Sequence, residues 1–184
     1  DRRNIAWYFH FSLNDYEKEG LEPGLPALDE RICTFRRLSE AIGADRVIWR
    51  FDPLILAGPL TENILPERLR RIGDRLHPFT RRLIFSYADI EGYARVKRNL
   101  TRAGVSWREW TEEAMLRVAE GIAGMCRDWG IEAMTCAESI ELDHFGIGRS
   151  RCIDPALLAR ISNDEGFRQF LGYRTVPTGL EPIP

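Results

Sequence analysis

The stretch Val47-Ile48-Trp49-Arg50-Phe51-Asp52-Pro53 decides the fold class, because it predicts a buried strand that ends in two charged side chains. Side chains at positions i and i+2 of a strand lie on the same face, so Arg50 and Asp52 should emerge together where the strand ends. In α/β proteins, ligands bind at the C-terminal ends of parallel strands. The stretch therefore predicts where a site lies, without indicating its reaction.

Strand and helix patterns alternate along the rest of the chain. Segments rich in β-branched and aromatic side chains predict strands at 5–11, 46–51, 83–87 and 131–136. Apolar residues at helical spacing follow them at 26–42, 65–76, 91–100 and 108–129. A further helix is predicted to start at Asp154-Pro155, since aspartate caps helices and proline suits their first position. Four strand–helix units predict an α/β fold with a parallel sheet, in the form of a partial TIM-like (β/α) barrel.

The predicted organisation is a single domain over residues 1–172 and an irregular tail over 173–184, where Pro, Gly and Thr replace any periodic pattern. The barrel is expected to be incomplete at one or both ends, because four units make only half of an eightfold barrel. A half barrel would expose a sheet edge and a core face. A missing segment, an oligomer partner or a flatter doubly wound sheet is expected to cover them.

Composition excludes several classes of protein. The 184 residues are 44% hydrophobic and 29% charged, which is ordinary for a globular domain, and the net charge of −2 gives no long-range attraction to nucleic acid or an anionic membrane. The sequence has no apolar run of about 20 residues and no signal-peptide pattern. We therefore expect a cytoplasmic protein with no membrane contact and no nucleic-acid partner.

Two basic segments are interpreted as ordinary surface. Six arginines between residues 66 and 82 alternate with acidic residues on a helix that also carries an apolar stripe, which indicates a solvated face. The segment 146–151 has two glycines and two arginines but lacks a phosphate-binding motif. A surface turn is the prediction there.

Polar side chains at the four strand ends form the predicted site. If the strands are neighbours, these side chains converge on one rim. The predicted catalytic residues are Arg50, Asp52, Cys136 and Glu138, and the predicted substrate-binding residues are His10, Ser12, Ser86 and Asp89. An equally open alternative is that Arg50, Asp52 and Glu138 form a buried ion-pair network that only seals the barrel mouth.

The four cysteines show no CxxC spacing and are interpreted as free thiols. Cys33 and Cys126 fall in helical apolar patterns and are predicted to be core residues. For Cys136, a core thiol is favoured over a nucleophile with His10 or His144 as its base. A metal site formed by His10, Glu138 and His144 lacks any supporting ligand spacing, so no metal ligands are predicted.

The chain resembles a bacterial family of uncharacterised proteins, the domain of unknown function numbered 1848. The resemblance covers residues 5 to about 163, and its most specific block is Trp49 to Pro53. The matching stretches are Trp7 to Leu13, Glu30 to Ser39, Val47 to Pro53, Thr135 to Glu138, and Cys152 to Asp154. The family looks like a relative of radical S-adenosylmethionine enzymes and is loosely labelled photolyase-like. The resemblance thus implies a radical-S-adenosylmethionine-like barrel, a four-iron four-sulfur cluster, S-adenosylmethionine, and an unknown small-molecule or nucleotide substrate.

The sequence departs from that pattern, because no cysteine follows Cys152 to supply the cluster thiolates expected in the tail. We expect either a fragment that lacks the cluster segment or a variant that has lost the cluster. Two hypotheses follow. The first is the barrel core of a radical S-adenosylmethionine-like enzyme that needs a further segment. The second is a non-redox α/β-barrel module that binds a small anionic ligand or a partner protein.

Overall fold

A computed structural model of the chain describes residues 5–136 and 138–183. All eight predicted site residues lie within these ranges. Residues 1–4 of the predicted domain, Ala137 beside the predicted site, and Pro184 of the predicted tail lie outside the described residues.

The described chain alternates strands and helices around one parallel sheet. The strands are β1 (Phe9–Ser12), β2 (Val47–Leu54), β3 (Arg82–Tyr87), β4 (Glu132–Thr135), β5 (Gly148–Arg149), β6 (Tyr173–Val176) and β7 (Gly179–Pro182). The helices are α1 (Leu28–Ile42), α2 (Ile64–Leu76), α3 (Ala94–Arg102), α4 (Glu112–Trp129), α5 (Pro155–Ile161) and α6 (Glu165–Phe170). Short 3₁₀ turns lie at Ala44–Arg46, His77–Phe79 and Asp143–Phe145.

The predicted α/β class with a parallel sheet is confirmed. Strands β1 to β5 are all parallel, and their order in the sheet is their order in the chain. The register pairs Ser12 with Arg50 and Ile84 with Met134. The C-terminal ends of β1 to β4 therefore lie side by side.

The two faces of the sheet pack against different helices. The main core lies between one face and α1, α2 and α4, where the α2 stripe of Leu65, Leu69, Ile72 and Leu76 is fully buried. On the other face, which we call the inner face, Ile48 of β2 packs against α5 in a smaller cluster. Because neighbouring residues of a strand point to opposite faces, Arg50 and Asp52 share the inner face with Ile48.

Local sequence signals position the helices that flank the site. The Thr111 hydroxyl accepts a hydrogen bond from the Ala114 N–H and caps α4, which ends at Gly130 with φ of 68°. The Asp154 carboxylate accepts the Leu157 N–H at 3.1 Å and caps α5, as predicted. No helix in the ranges 5–136 and 138–183 is long and apolar enough to cross a membrane.

The predicted buried strand at residues 5–11 is wrong in extent and burial. β1 spans Phe9–Ser12, and the side chains of Ile5, Trp7 and Phe9 are 50%, 37% and 46% exposed. The physical reason is that β1 lies at the edge of the sheet and pairs with β2 alone. Phe11 nevertheless packs on the core, with its ring 5.2 Å from that of Phe35.

Two segments without a strand pattern form strands. The predicted surface turn at 146–151 contains β5, whose two residues are too few to show periodicity, so the sheet has a fifth strand. The tail predicted to be irregular contains the antiparallel hairpin of β6 and β7. Backbone pairing, with little side-chain burial, explains why none of these three strands has an apolar signature.

Two predictions about individual side chains also fail. Cys33 is exposed, because its position on α1 faces away from the neighbouring buried Ile32 and Phe35, whereas Cys126 is buried as predicted. Arg82, grouped with the solvated arginines, is only 6% exposed. It lies on the inner face of the sheet, where ion pairs with Glu132 and Asp154 compensate its burial.

Candidate functional site

A cavity of about 610 Å³ opens at the C-terminal ends of β2, β3 and β4. Five of the eight predicted site residues line it: Asp52, Ser86, Asp89, Cys136 and Glu138. Its other walls come from the segment after β2, the loop between β3 and α3, and the first turn of α4. The cavity therefore occupies the position where β/α folds bind ligands.

Asp52 is the centre of the polar cluster at the mouth of the sheet. The Arg50 guanidinium pairs with Oδ2 of Asp52, and the Ser86 hydroxyl donates a hydrogen bond to Oδ1. The Arg50 and Asp52 side chains are 19% and 20% exposed. Burial lowers the pKa of Arg50, but the Asp52 carboxylate, with a smaller contribution from Cys136, raises that pKa above its usual value. The cluster thus places a charged pair within reach of the cavity.

Asn14, which the sequence reasoning missed, braces the backbone at this point. Its Oδ1 accepts the Asp52 N–H at 2.9 Å, and its Nδ2 donates to the Asp52 carbonyl at 3.4 Å. The Tyr16 hydroxyl donates to the Pro53 carbonyl at 2.7 Å. Both residues are buried and follow β1. An asparagine three residues after the predicted strand at 5–11 was the signal that could have identified this support.

Glu138 faces the cavity from the chain after β4. Its Oε1 accepts the Tyr87 backbone N–H at 2.7 Å. Burial raises the pKa of Glu138, and the negative charge of Asp52 raises it further, whereas the Tyr87 N–H opposes both effects. Glu138 therefore holds its proton to higher pH than an ordinary glutamate, while Asp52 is the carboxylate that pairs with Arg50.

The loop between β3 and α3 is organised by two carboxylates. Asp89 Oδ1 accepts the Gly92 N–H at 2.7 Å. Glu109 Oε1 accepts the N–H groups of Ile90 and Glu91 at 3.0 and 2.9 Å. Glu109 lies 18 residues after Glu91 in the chain, so spacing alone did not identify it as a cavity residue.

His10 and Ser12 do not line this cavity, although both are on β1. Ser12 is exposed beside Arg50 in the register. Both ring nitrogens of His10 are buried and have no hydrogen-bond partner among the described residues. Burial lowers the pKa of His10, and the nearby Arg50 lowers it further.

The ion-pair alternative describes only part of this arrangement. Arg50 and Asp52 pair as that alternative requires. Within the described residues, however, Glu138 belongs to no ion pair, and its carboxyl group lies on the cavity wall. The Arg50–Asp52 ion pair therefore does not involve Glu138, whose carboxyl group is available to a ligand in the cavity.

The described residues do not fit the ligation of an iron–sulfur cluster. Within 5–136 and 138–183, no group of three or more His, Cys, Asp or Glu side chains is arranged to hold a metal ion. Cys126 is buried in the helix layer, and Cys33 and Cys152 are exposed at separate places. No cluster ligand is therefore assigned among these described residues.

Comparison with known proteins gives a family without a described activity. A family model described as a domain of unknown function (DUF1848) matches residues 1–176. No curated protein and no solved structure shows a significant match to the chain. The match covers the whole parallel sheet and every residue of the cavity.

Proposed function

This chain belongs to the family of the domain of unknown function DUF1848, and we propose that it binds a small organic cation, such as a protonated amine, in the cavity at the strand ends. Glu138 supplies one of the carboxyl groups that line the cavity there. The observation that carries the proposal is that Asp52, Asp89, Glu109 and Glu138 line the same cavity. Such a lining attracts a cation and repels an anion.

The hydrogen bonds of these carboxyl groups support the proposal. Asp89, Glu109 and Glu138 each use one oxygen to accept backbone N–H groups. In the described part of the chain, the second oxygen of each accepts no hydrogen bond. An ionised carboxylate oxygen is an acceptor, so a ligand that donates hydrogen bonds complements it.

The hypothesis of an anionic ligand is less favourable in this cavity. Its main support is Arg50, whose guanidinium is engaged by Asp52. An anion would have to displace that pairing and approach three further carboxyl groups. A cation meets neither cost.

The proposal is tested by titrating the folded chain with three probes that share one ring and differ in charge: benzylamine, benzyl alcohol and benzoate. Two-dimensional NMR should show the tightest binding for benzylamine, with shifts at the Ala88 and Cys136 amides. Glu138→Gln should weaken benzylamine about tenfold, because a hydrogen bond to a charged group contributes about 1.5–3 kcal/mol. Glu120→Gln, on the exposed face of α4, is the matched control. Equal binding of all three probes, or a preference for benzoate, would overturn the proposal.

A second candidate is the barrel core of a radical S-adenosylmethionine-like enzyme. It is supported by the sequence resemblance and by a sheet whose five parallel strands follow chain order, as successive units of a β/α barrel do. Anaerobic reconstitution of the longest natural reading frame with iron and sulfide should then give charge-transfer absorption and cleavage of S-adenosylmethionine. Absence of both would exclude this candidate.

A further inference from the structure

The wall of the cavity formed by the β3–α3 loop is apolar and exposed. Tyr93 is 66% exposed and Val96 is 39% exposed, yet both line the cavity that contains Asp52 and Glu138. Tyr93 directly precedes α3, and the Val96 N–H donates to the Tyr93 carbonyl at 2.8 Å. Both side chains line the same cavity, so together they supply apolar surface to this wall.

This wall is held in place before any ligand arrives. The Asp89 and Glu109 carboxylates accept hydrogen bonds from the backbone N–H groups of residues 90–92. The side chain of Ile90, in the same loop, is fully buried in the core. A Cβ atom added at Gly92 would lie 2.2 Å from Asp89 Oδ2, so the loop packs closely around that carboxylate. A preformed wall binds a ligand without the entropic cost of ordering a loop.

We infer that the cavity selects an amphipathic amine, whose apolar substituent lies against Tyr93 and Val96 while its charged head meets the carboxyl groups. This inference rests on the proposed function and adds the substituent. Met115 and Ile55 line the same cavity and extend its apolar surface. A ligand with a polar head and an apolar substituent therefore matches both parts of the lining.

The burial of alkyl groups gives a quantitative test. Each buried methylene contributes about 0.8 kcal/mol, which corresponds to about fourfold in affinity. We would titrate the folded chain with primary n-alkylamines from methylamine to hexylamine. In the unaltered protein, affinity should rise about threefold to fourfold per methylene until the wall is covered.

The double variant Tyr93→Ala/Val96→Ala removes the wall without touching the carboxyl groups. Its affinity should depend less on chain length than that of the unaltered protein, with the largest loss for hexylamine. Phe170→Ala, which removes an 84% exposed aromatic ring outside the cavity, is the matched control and should keep the full dependence. Val96→Thr, which conserves volume but adds a hydroxyl, should reduce the dependence in a chain that keeps its fold.

The outcomes separate the two proposals. An equal dependence on chain length with and without Tyr93 and Val96, or no dependence in the unaltered protein, would overturn the inference and leave amine binding intact. Failure of the folded protein to bind any amine would overturn amine binding itself, and the inference with it. A dependence that only the wall variants lose supports both.

Discussion

Arg82 and Asp154 form a buried ion pair that ties α5 to the inner face of the sheet. Arg82 Nη1 lies 2.6 Å from Asp154 Oδ2, and the two side chains are 7% and 11% exposed. Glu132 also pairs with Arg82, and the Asp154 N–H donates to the Tyr8 hydroxyl at 2.9 Å. The pair therefore positions α5 over part of the sheet face that a half barrel was expected to expose.

Asp154→Asn should destabilise the chain by about 2–3 kcal/mol. Removing one partner of a buried ion pair costs about 3–5 kcal/mol, and Glu132 remains to pair with Arg82, which reduces the cost. Because asparagine still caps the helix, the lost free energy of unfolding measures the contribution of the negative charge of Asp154. Urea unfolding measures it. Asp164→Asn is the control, because Asp164 caps α6 in the same way but is exposed, and a loss as large there would contradict the assignment.

The same pair predicts a loss of stability in acid. Burial raises the pKa of Asp154, but the Leu157 N–H and the Arg82 guanidinium lower it more, so the folded pKa is below its usual value. In the unfolded chain the Asp154 carboxyl group has a pKa of about 3.9, so it takes up a proton at a higher pH than in the folded chain. The stabilisation that the ionised carboxylate gives above that pH is therefore lost as the pH falls through the folded pKa. Urea unfolding of the unaltered chain and Asp154→Asn should converge below about pH 4. A constant difference from pH 7 to pH 3 would contradict this.

The parts of the fold that were predictable are those with strong periodic patterns. The strands β2 and β3 have long apolar runs, and the helix α4 combines an apolar stripe with Gly130 as its stop. The polar residues at the ends of the predicted strands were enough to place Asp52, Ser86 and Glu138 near one another. The β5 strand and the β6–β7 hairpin were not predictable, because their backbone pairing leaves no periodic pattern of buried side chains. Asn14 and Glu109 act through backbone groups that are distant in the chain, so spacing could not reveal them.

The inner face also contains the imidazole of His10, whose two nitrogens have no hydrogen-bond partner in the ranges 5–136 and 138–183, and this predicts a second dependence on pH. Burial and the nearby Arg50 lower the pKa of His10 in the folded chain. The unfolded chain therefore binds the proton first, and stability should fall as the pH drops from about 6.5 towards the folded pKa. His10→Phe keeps a ring beside Tyr8, whose ring centroid is 5.3 Å away.

Urea unfolding at pH 7.5 and pH 5 tests this prediction. His10→Phe should lose less stability than the unaltered chain between the two values, and it should be no less stable at pH 7.5, since it removes two buried nitrogens without partners among the described residues. His144→Phe is the matched control at an exposed position. An unchanged pH dependence in His10→Phe would show that another group titrates.

Asp52 and Glu138 are predicted to be electrostatically coupled across the cavity. Asp52→Asn should lower the pKa of Glu138, because it removes the negative charge that helps to raise that pKa. Burial remains, so the pKa of Glu138 should stay above that of an exposed glutamate. The carboxyl ¹³C resonance of Glu138 measures this directly. Asp89→Asn, which changes another carboxylate of the same cavity, should have a smaller effect, and an equal effect would argue against specific coupling.

Two helical glycines should respond in opposite directions to the same substitution. A Cβ atom at Gly73 of α2 would lie 2.1 Å from the Trp129 ring of α4, whereas a Cβ atom at Gly121 of α4 meets nothing within 4 Å among the described residues. Alanine stabilises a helix interior over glycine by about 1 kcal/mol, so Gly121→Ala should raise the free energy of unfolding by that amount. At Gly73 the clash must move Trp129, whose indole N–H donates to Asp74 at 2.9 Å, and overpacking costs about 1–3 kcal/mol. Urea unfolding with tryptophan fluorescence distinguishes the two, and stabilisation by Gly73→Ala would mean that α2 and α4 pack less closely than described.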